Sequence, residues 1–290
     1  MNLLLTGATG FLGSHLARAL VAEGHRVIVL KRRTSDLRRL AGAQLDLVFY
    51  DVEVLDWARP FTEYGQVDAV IHTATCYGRQ GESAATLLEA NVLFPLRLLE
   101  AATFFNTDTF FNTDTILYQY LNGYALSKRQ FMEWGRQWAE AGKIRFVNIR
   151  LEHLYGPGDD PSKFTTWVVQ SCLANVPELK LTPGEQRRDF IDIDDAVAAY
   201  GLLLEKVGEL GAGFQPVGLG SGQAVTIREF VEMAHRLTRS RTRLAFGALP
   251  YREHEAMESN ADIGRLAALG WRPIVGLKQG LERMIATALG

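Results

Sequence analysis

The stretch MNLLLTGATGFLGSHLARALVAEGHRVIVL, residues 1–30, decides the fold. Residues 2–6 form a short apolar run that stops at Gly7. After Gly10 the residues Leu12, Leu16, Ala17, Leu20 and Val21 recur at helical spacing, Gly24 closes the helix, and residues 26–30 read as a second buried strand. Strand, glycine turn, helix and strand in so short a span make a βαβ unit, which requires a right-handed crossover and a parallel sheet.

The alternation continues outward from there. LDLVFY (45–50) and DAVIHTA (68–74) read as strands, and TLLEANVLFPLRLLEAA (86–102) reads as one long helix. TFFNTDT (109–115) is the next strand, NGYALSKRQFMEWGRQWAEAG (122–142) the next helix, and IRFVNIRLE (144–152) a further strand. The pattern predicts an α/β fold with a Rossmann-type doubly wound parallel sheet. Beyond Tyr155, loops rich in Gly, Pro and Asp separate shorter elements, with amphipathic helices expected over 225–237 and 275–289. A dinucleotide-binding domain over 1–155 and a smaller, mainly substrate-binding lobe over 156–290 are expected, with some of the later segments returning to the sheet. The hexapeptide TFFNTD occurs in tandem at 103–108 and 109–114, too short for a structural repeat.

Composition bounds the function classes. The 290 residues hold 31 Lys and Arg against 33 Asp and Glu, which argues against a nucleic-acid binder held by bulk positive charge. Two cysteines, Cys76 and Cys172, are too few for a disulfide framework or a four-cysteine zinc site. His254 and Glu255 lack further ligands at metal spacing, so no metal is expected. No apolar run reaches the roughly 18 residues of a membrane span, and the N-terminus has no signal-peptide pattern. A cytoplasmic protein is expected.

Four clusters have chemical potential. Gly7, Gly10 and Gly13 stand where a chain must turn sharply, let backbone approach a pyrophosphate and pack helix on strand, with the helix N-terminus facing the phosphate. Lys31, Arg32 and Arg33 follow the second strand, where an acid would suit the ribose of NAD and cations suit the extra phosphate of NADP. Asp51, ending the third strand, suits the adenine amine or a turn equally well. Tyr124 and Lys128 lie four apart on one helix face, where the ammonium favours the phenolate and fits the tyrosine for proton transfer. Thr113, at a strand's C-terminal end, is placed to hydrogen-bond a substrate oxygen, or to cap a turn. His72 reads as a packed core histidine, and Trp134 and Trp138 as packing.

Together these residues resemble the extended short-chain dehydrogenase/reductases, and within them the NAD(P)-dependent sugar-nucleotide epimerase/dehydratase family. The resemblance runs through TGATGFLG (6–13), HTAT (72–75), Tyr124 and Lys128, RLEHLYGPGDD (150–160), RRDFIDIDD (187–195) and LGWRP (269–273). It implies catalysis by Thr113, Tyr124 and Lys128. It implies a dinucleotide held by Gly7, Thr9, Gly10, Phe11, Leu12, Gly13, Lys31, Arg32, Arg33, Asp51, Val52, Thr73, Ala74, Thr75 and Asn91, together with Tyr124 and Lys128. Tyr77, Arg79, Asp114, Thr115 and Arg188 are the implied substrate residues. Asp114 is followed by Thr115 rather than glutamate, which disfavours dehydration. The eleven residues from Thr113 to Tyr124 are similar to the CDP-abequose/paratose synthase-like reductases. The expectation is an NADP(H)-dependent reduction of a 4-keto (di)deoxy sugar nucleotide. An NAD-dependent 4-epimerase is the alternative, and a non-catalytic NADP-sensing protein a third reading. The resemblance also implies a homodimer built on the helix bearing Trp134 and Trp138.

Overall fold

The computed structural model describes residues 1–43 and 46–290. Its centre is a seven-stranded sheet of β1 (Asn2–Thr6), β2 (Arg26–Lys31), β3 (Leu47–Asp51), β4 (Ala69–His72), β5 (Thr109–Thr115), β6 (Arg145–Leu151) and β10 (Phe214–Leu219). The order across the sheet is β10-β6-β5-β4-β1-β2-β3. The chain starts in the middle, runs to one edge through β2 and β3, then returns beside β1 as β4 and runs to the other. That reversal places the topological switch point between β1 and β4, where open α/β sheets bind ligands. The strands β1 to β5 pair in parallel, with Thr6 opposite both Leu30 and His72, Lys31 opposite Asp51, and His72 opposite Asn112. This register brings the strand C-termini, and the loops that follow them, to one edge of the sheet.

The helices α1 (Phe11–Ala22), α2 (Arg59–Thr62), α3 (Ala84–Leu88), α4 (Phe94–Phe104) and α5 (Gly123–Glu140) cover the sheet. Leu4, Val70, Leu98, Phe110, Phe131 and Phe146 form a fully buried core. Burying one such side chain contributes about 1.5–3 kcal/mol, so this cluster holds the sheet-edge geometry. The helix expected over 86–102 is in fact α3, a π-helical turn at Glu89–Leu93, and α4. Leu45, the first residue of the expected third strand, lies outside the described residues. The expected strand over 144–152 divides into β6 and β7 (His153–Tyr155).

Two compact units result, Met1–Arg150 with Tyr200–Val217, and Leu151–Ala199 with Gly218–Gly290. The boundary falls at Arg150 rather than after Tyr155. The second unit holds α6 (Phe164–Leu173), β8 (Glu178–Leu181), β9 (Arg187–Asp192), β11 (Ala224–Thr226), α8 (Ile227–Leu237), β12 (Arg243–Phe246), α9 (Gly264–Ala268) and α10 (Leu277–Leu289). Its sheets run β11-β9-β7 and β12-β8, over a core of Tyr155, Val168, Phe190, Phe230 and Leu281. The helix α7 (Ile193–Glu205) leads the chain back to the first unit. Among the described residues no helix is long and apolar enough to cross a membrane.

The tandem hexapeptide has a physical account. The second copy is β5, with Phe110 and Phe111 fully buried. In the first, Thr103 and Phe104 end α4, Phe105 stacks on Phe61 at 5.5 Å, and Phe104 is left 79% exposed. The copies are therefore not structurally equivalent.

Candidate active site

The turn after β1 is shaped for close approach. Gly7 has φ of +74°, and a Cβ there would lie 2.6 Å from the Ala74 nitrogen and from Thr73 Oγ1. A Cβ on Gly13 would lie 2.1 Å from the Gly7 carbonyl oxygen. The Gly10 N–H donates to the Gly7 carbonyl at 2.9 Å, and no side chain caps α1 at Gly10. The positive dipole end of a three-turn helix thus begins at a turn whose glycines leave no room for a side chain, which fits a dinucleotide pyrophosphate. Thr73 Oγ1 donates to the Thr6 carbonyl at 2.8 Å, tying the loop after β4 across the switch point. Phe11 and Leu12 are buried on α1, and Thr9 is half-buried in the turn.

Beside it, Lys31 is not free for a phosphate as expected: its ammonium is paired with Asp51, its cross-strand neighbour. Arg32 and Arg33 are exposed. The Arg33 N–H donates to both carboxylate oxygens of Glu53, at 3.2 and 3.1 Å. Glu53 is absent from the sequence-predicted set, as is Arg39, whose guanidinium lies 5.8 Å from the Phe11 ring centroid. Sequence spacing gives no sign of either, because both arrive from later segments.

Asn91 connects loop to helix. Its side chain accepts from the Cys76 N–H at 2.7 Å and the Thr75 hydroxyl at 3.3 Å, and donates to the Cys76 carbonyl at 2.8 Å and Ser127 Oγ at 2.9 Å. The π-helical turn carries it, since one extra residue in a helical turn swings the side chain out of the α-helical stripe.

Tyr124 sits on the first turn of α5, which Asn122 caps by accepting from the Ala125 N–H at 2.8 Å. Burial raises the Tyr124 phenol well above its ordinary value, and Tyr77 and Asp114 add to the rise. The Thr115 hydroxyl and the Arg79 cation oppose it. The Tyr77 ring lies 5.0 Å from that of Tyr124, and Arg79 lies 4.8 Å over Tyr77, so both implied substrate residues border the phenol. Lys128 is almost fully buried, and burial holds its ammonium below the ordinary value, with Asp114 acting against the shift.

On β5, Thr113 Oγ1 is bonded to the hydroxyl of Tyr200, at 2.6 Å. Asp114 is buried rather than presented to a substrate: Asn148 Nδ2 donates to one oxygen and the Thr115 N–H to the other, both at 2.8 Å. Strand alternation explains this, since Thr113 and Thr115 share one face and Asp114 takes the other. His72 is fully buried and meets Thr6 Oγ1 through Nδ1 at 2.8 Å.

In the second unit, Arg188 is buried and paired with Glu255, and its Nη1 donates to the Arg187 carbonyl at 2.8 Å. Glu255 lies 67 residues further along the chain, so spacing gave no sign of the pair. Val52 opens a 3₁₀ turn directly after Asp51. Trp134 and Trp138 pack edge to face at 5.8 Å, Trp138 against the core and Trp134 at the surface.

Comparison with known proteins agrees with this architecture. A sequence profile of the NAD dependent epimerase/dehydratase family matches residues 3–214. The CDP-abequose synthase of Salmonella muenchen is 33% identical, with 98% of this chain and 97% of that protein covered. The CDP-abequose synthase of Salmonella typhimurium is 34% identical, covering 97% and 96%. Among solved structures, UDP-glucose 4-epimerase from Thermotoga maritima has the same fold, with a TM-score of 0.85 at 21% identity and coverage of 100% and 99%. The UDP-glucuronic acid 4-epimerase of Bacillus cereus gives 0.86 at 23%, covering 99% and 98%. The chain therefore belongs to the NAD dependent epimerase/dehydratase family of extended short-chain dehydrogenase/reductases and is an NAD(P)-dependent oxidoreductase.

Proposed function

We propose that the protein reduces the C4 carbonyl of a 4-keto (di)deoxy sugar nucleotide, with NADPH as reductant. The observation that carries this reading is identity at 33–34% to two CDP-abequose synthases over nearly the whole chain. A bound reduced nicotinamide dinucleotide supplies the hydride, and Gly7, Thr9, Gly10, Phe11, Leu12 and Gly13 with Thr73–Thr75 and Asn91 are the residues to hold it. Arg32 and Arg33 are the cations for its 2′-phosphate; Asp51 and Val52 border the adenosine end.

The chain's own part is proton delivery. The Tyr124 hydroxyl donates to the developing alkoxide, which is the stronger base once the carbonyl has been reduced. Lys128 stabilises the phenolate left behind, since an ammonium nearby favours the charged form. Thr113 offers its hydroxyl to the same substrate oxygen. Preorganised donors at a growing charge need no reorganisation as it forms, and they account for much of the acceleration in such sites. Tyr77, Arg79 and Arg188 are the substrate-binding side chains, with Arg188 directed to the nucleotide phosphates. A homodimer using α5 and a cytoplasmic location complete the reading; light scattering showing a monomer at working concentration would remove the dimer.

The NAD-dependent 4-epimerase is the second reading, favoured by the loss of Lys31 to Asp51 as a phosphate ligand. The test is to denature the purified protein, assay it for bound NAD, and titrate the native protein with NADPH and NADH. The reductase reading expects empty protein that prefers NADPH by at least tenfold, about 1.4 kcal/mol, and loses most of that preference in Arg32→Ala/Arg33→Ala. Stoichiometric bound NAD after purification overturns it in favour of the epimerase.

A further inference from the structure

The end of β2 carries three cations, and two carboxylates from the end of β3 already engage that segment. Lys31 is paired with Asp51. Two residues further along each strand's exit, both carboxylate oxygens of Glu53 accept from the Arg33 N–H, at 3.2 and 3.1 Å. The turn that bears this N–H is closed on itself. The Ser35 N–H donates to the Arg32 carbonyl at 3.0 Å, and the Arg32 N–H donates to Ser35 Oγ at 3.1 Å. Glu53 lies in the 3₁₀ turn Val52–Val54 and is exposed, as are Arg32 and Arg33. In a sheet of this order the acid that meets an adenosine ribose belongs to the exit of β2. Here that exit is basic, and an acid reaches it from the next strand instead.

We propose that Glu53 is a specificity-determining residue for the dinucleotide: its carboxylate holds the Arg33 N–H and opposes the 2′-phosphate that Arg32 and Arg33 attract. A backbone N–H beside two guanidinium groups is a donor set that suits a phosphate. A carboxylate on that same N–H must withdraw when a phosphate arrives, or stay and repel it. A ribose 2′-hydroxyl meets neither penalty, because a hydroxyl can donate to a carboxylate. Cations and carboxylate therefore act in opposite senses, and the preference between NADPH and NADH is the balance of the two.

The inference rests on the reading that sets the adenosine end beside Asp51 and Val52. It is decided by a change in relative affinity, without turnover and whichever cofactor the wild type prefers.

The experiment titrates the full chain, freed of any bound dinucleotide, with NADPH and with NADH, followed by nicotinamide fluorescence. Glu53→Gln keeps an oxygen to accept from the Arg33 N–H but removes the charge. It should raise the ratio of NADPH to NADH affinity by about tenfold, the scale of a unit charge on a phosphate about 4 Å away in water, partly screened. NADH affinity itself should change little, and Glu53→Ala should raise the ratio similarly. The gain should shrink between about 0.01 and 1 M salt, as the screening length falls from about 30 to about 3 Å. Glu140→Gln, which removes the same charge at the last residue of α5, should leave the ratio in place. An unchanged ratio in Glu53→Gln overturns the proposal, as does an equal gain in Glu140→Gln or a gain that salt does not diminish. A gain in Glu53→Ala alone also overturns it, since loss of the loop contact and not of the charge would then be the cause. Wild-type protein that prefers NADH would overturn the NADPH reading instead, while the Glu53→Gln comparison still decides the role of Glu53.

Discussion

Tyr124 and Lys128 are one helical turn apart, but burial works against the charged form of each. For Lys128 this has a measurable sign. The folded chain holds the lysine proton less tightly than the unfolded chain, so stability rises with pH from the folded value of Lys128 to its ordinary 10.5. That contribution is lost as pH falls through the folded value. Thermal melts across this window should show the rise in the wild type and its loss in Lys128→Met. Asp114 is the nearest compensation the chain offers, held by Asn148 while Asn112 Nδ2 bonds Asn148 Oδ1 at 2.7 Å. That Tyr124 and Lys128 lie one turn apart on α5 was legible from their four-residue spacing. The occupation of the Thr113 hydroxyl was not, because it depends on Tyr200, 87 residues away.

At the scale of elements, α5 positions the phenol and its cap positions α5. Asn122→Ala removes the acceptor for the Ala125 N–H, and should cost about 1 kcal/mol, read as a lower unfolding midpoint in urea. Because Tyr124 is in that first turn, kcat should fall by more than the small stability loss alone would explain. Period and end signals in the sequence identified α5, β5 and the β1–α1–β2 unit closely. They missed the division of the 86–102 stretch, where apolar residues continue at helical spacing straight through the π-helical turn. The reason is that a π turn changes hydrogen-bond partners by one residue without requiring a breaker, while Pro95 sits where a new helix begins and its missing N–H costs nothing.

For the molecule as a whole, each unit is held by polar junctions as well as by its core. In the second unit Asp189, fully buried, accepts from the Ser221 N–H at 2.7 Å, the Ser221 hydroxyl at 2.5 Å, the Gly222 N–H at 2.9 Å and the Ala261 N–H at 3.1 Å. One carboxylate thus joins three segments far apart in the chain. Asp189→Asn replaces an acceptor with a donor facing N–H groups, and should destabilise by about 1–3 kcal/mol for each donor left unsatisfied, measured by chemical denaturation.

The sequence by itself determined the doubly wound sheet, the glycine turn, and the placing of Tyr124 and Lys128 one turn apart on α5. These follow from local periodicity, from the steric demands of a tight turn and from neighbours on one helix face. Only the tertiary structure decided which polar groups are already occupied: Lys31 by Asp51, Thr113 by Tyr200, Arg188 by Glu255 and Asp114 by Asn148. Each partner comes from a different segment, and a buried hydrogen bond or ion pair is satisfied by whatever the fold brings within about 3 Å, whatever its distance in sequence.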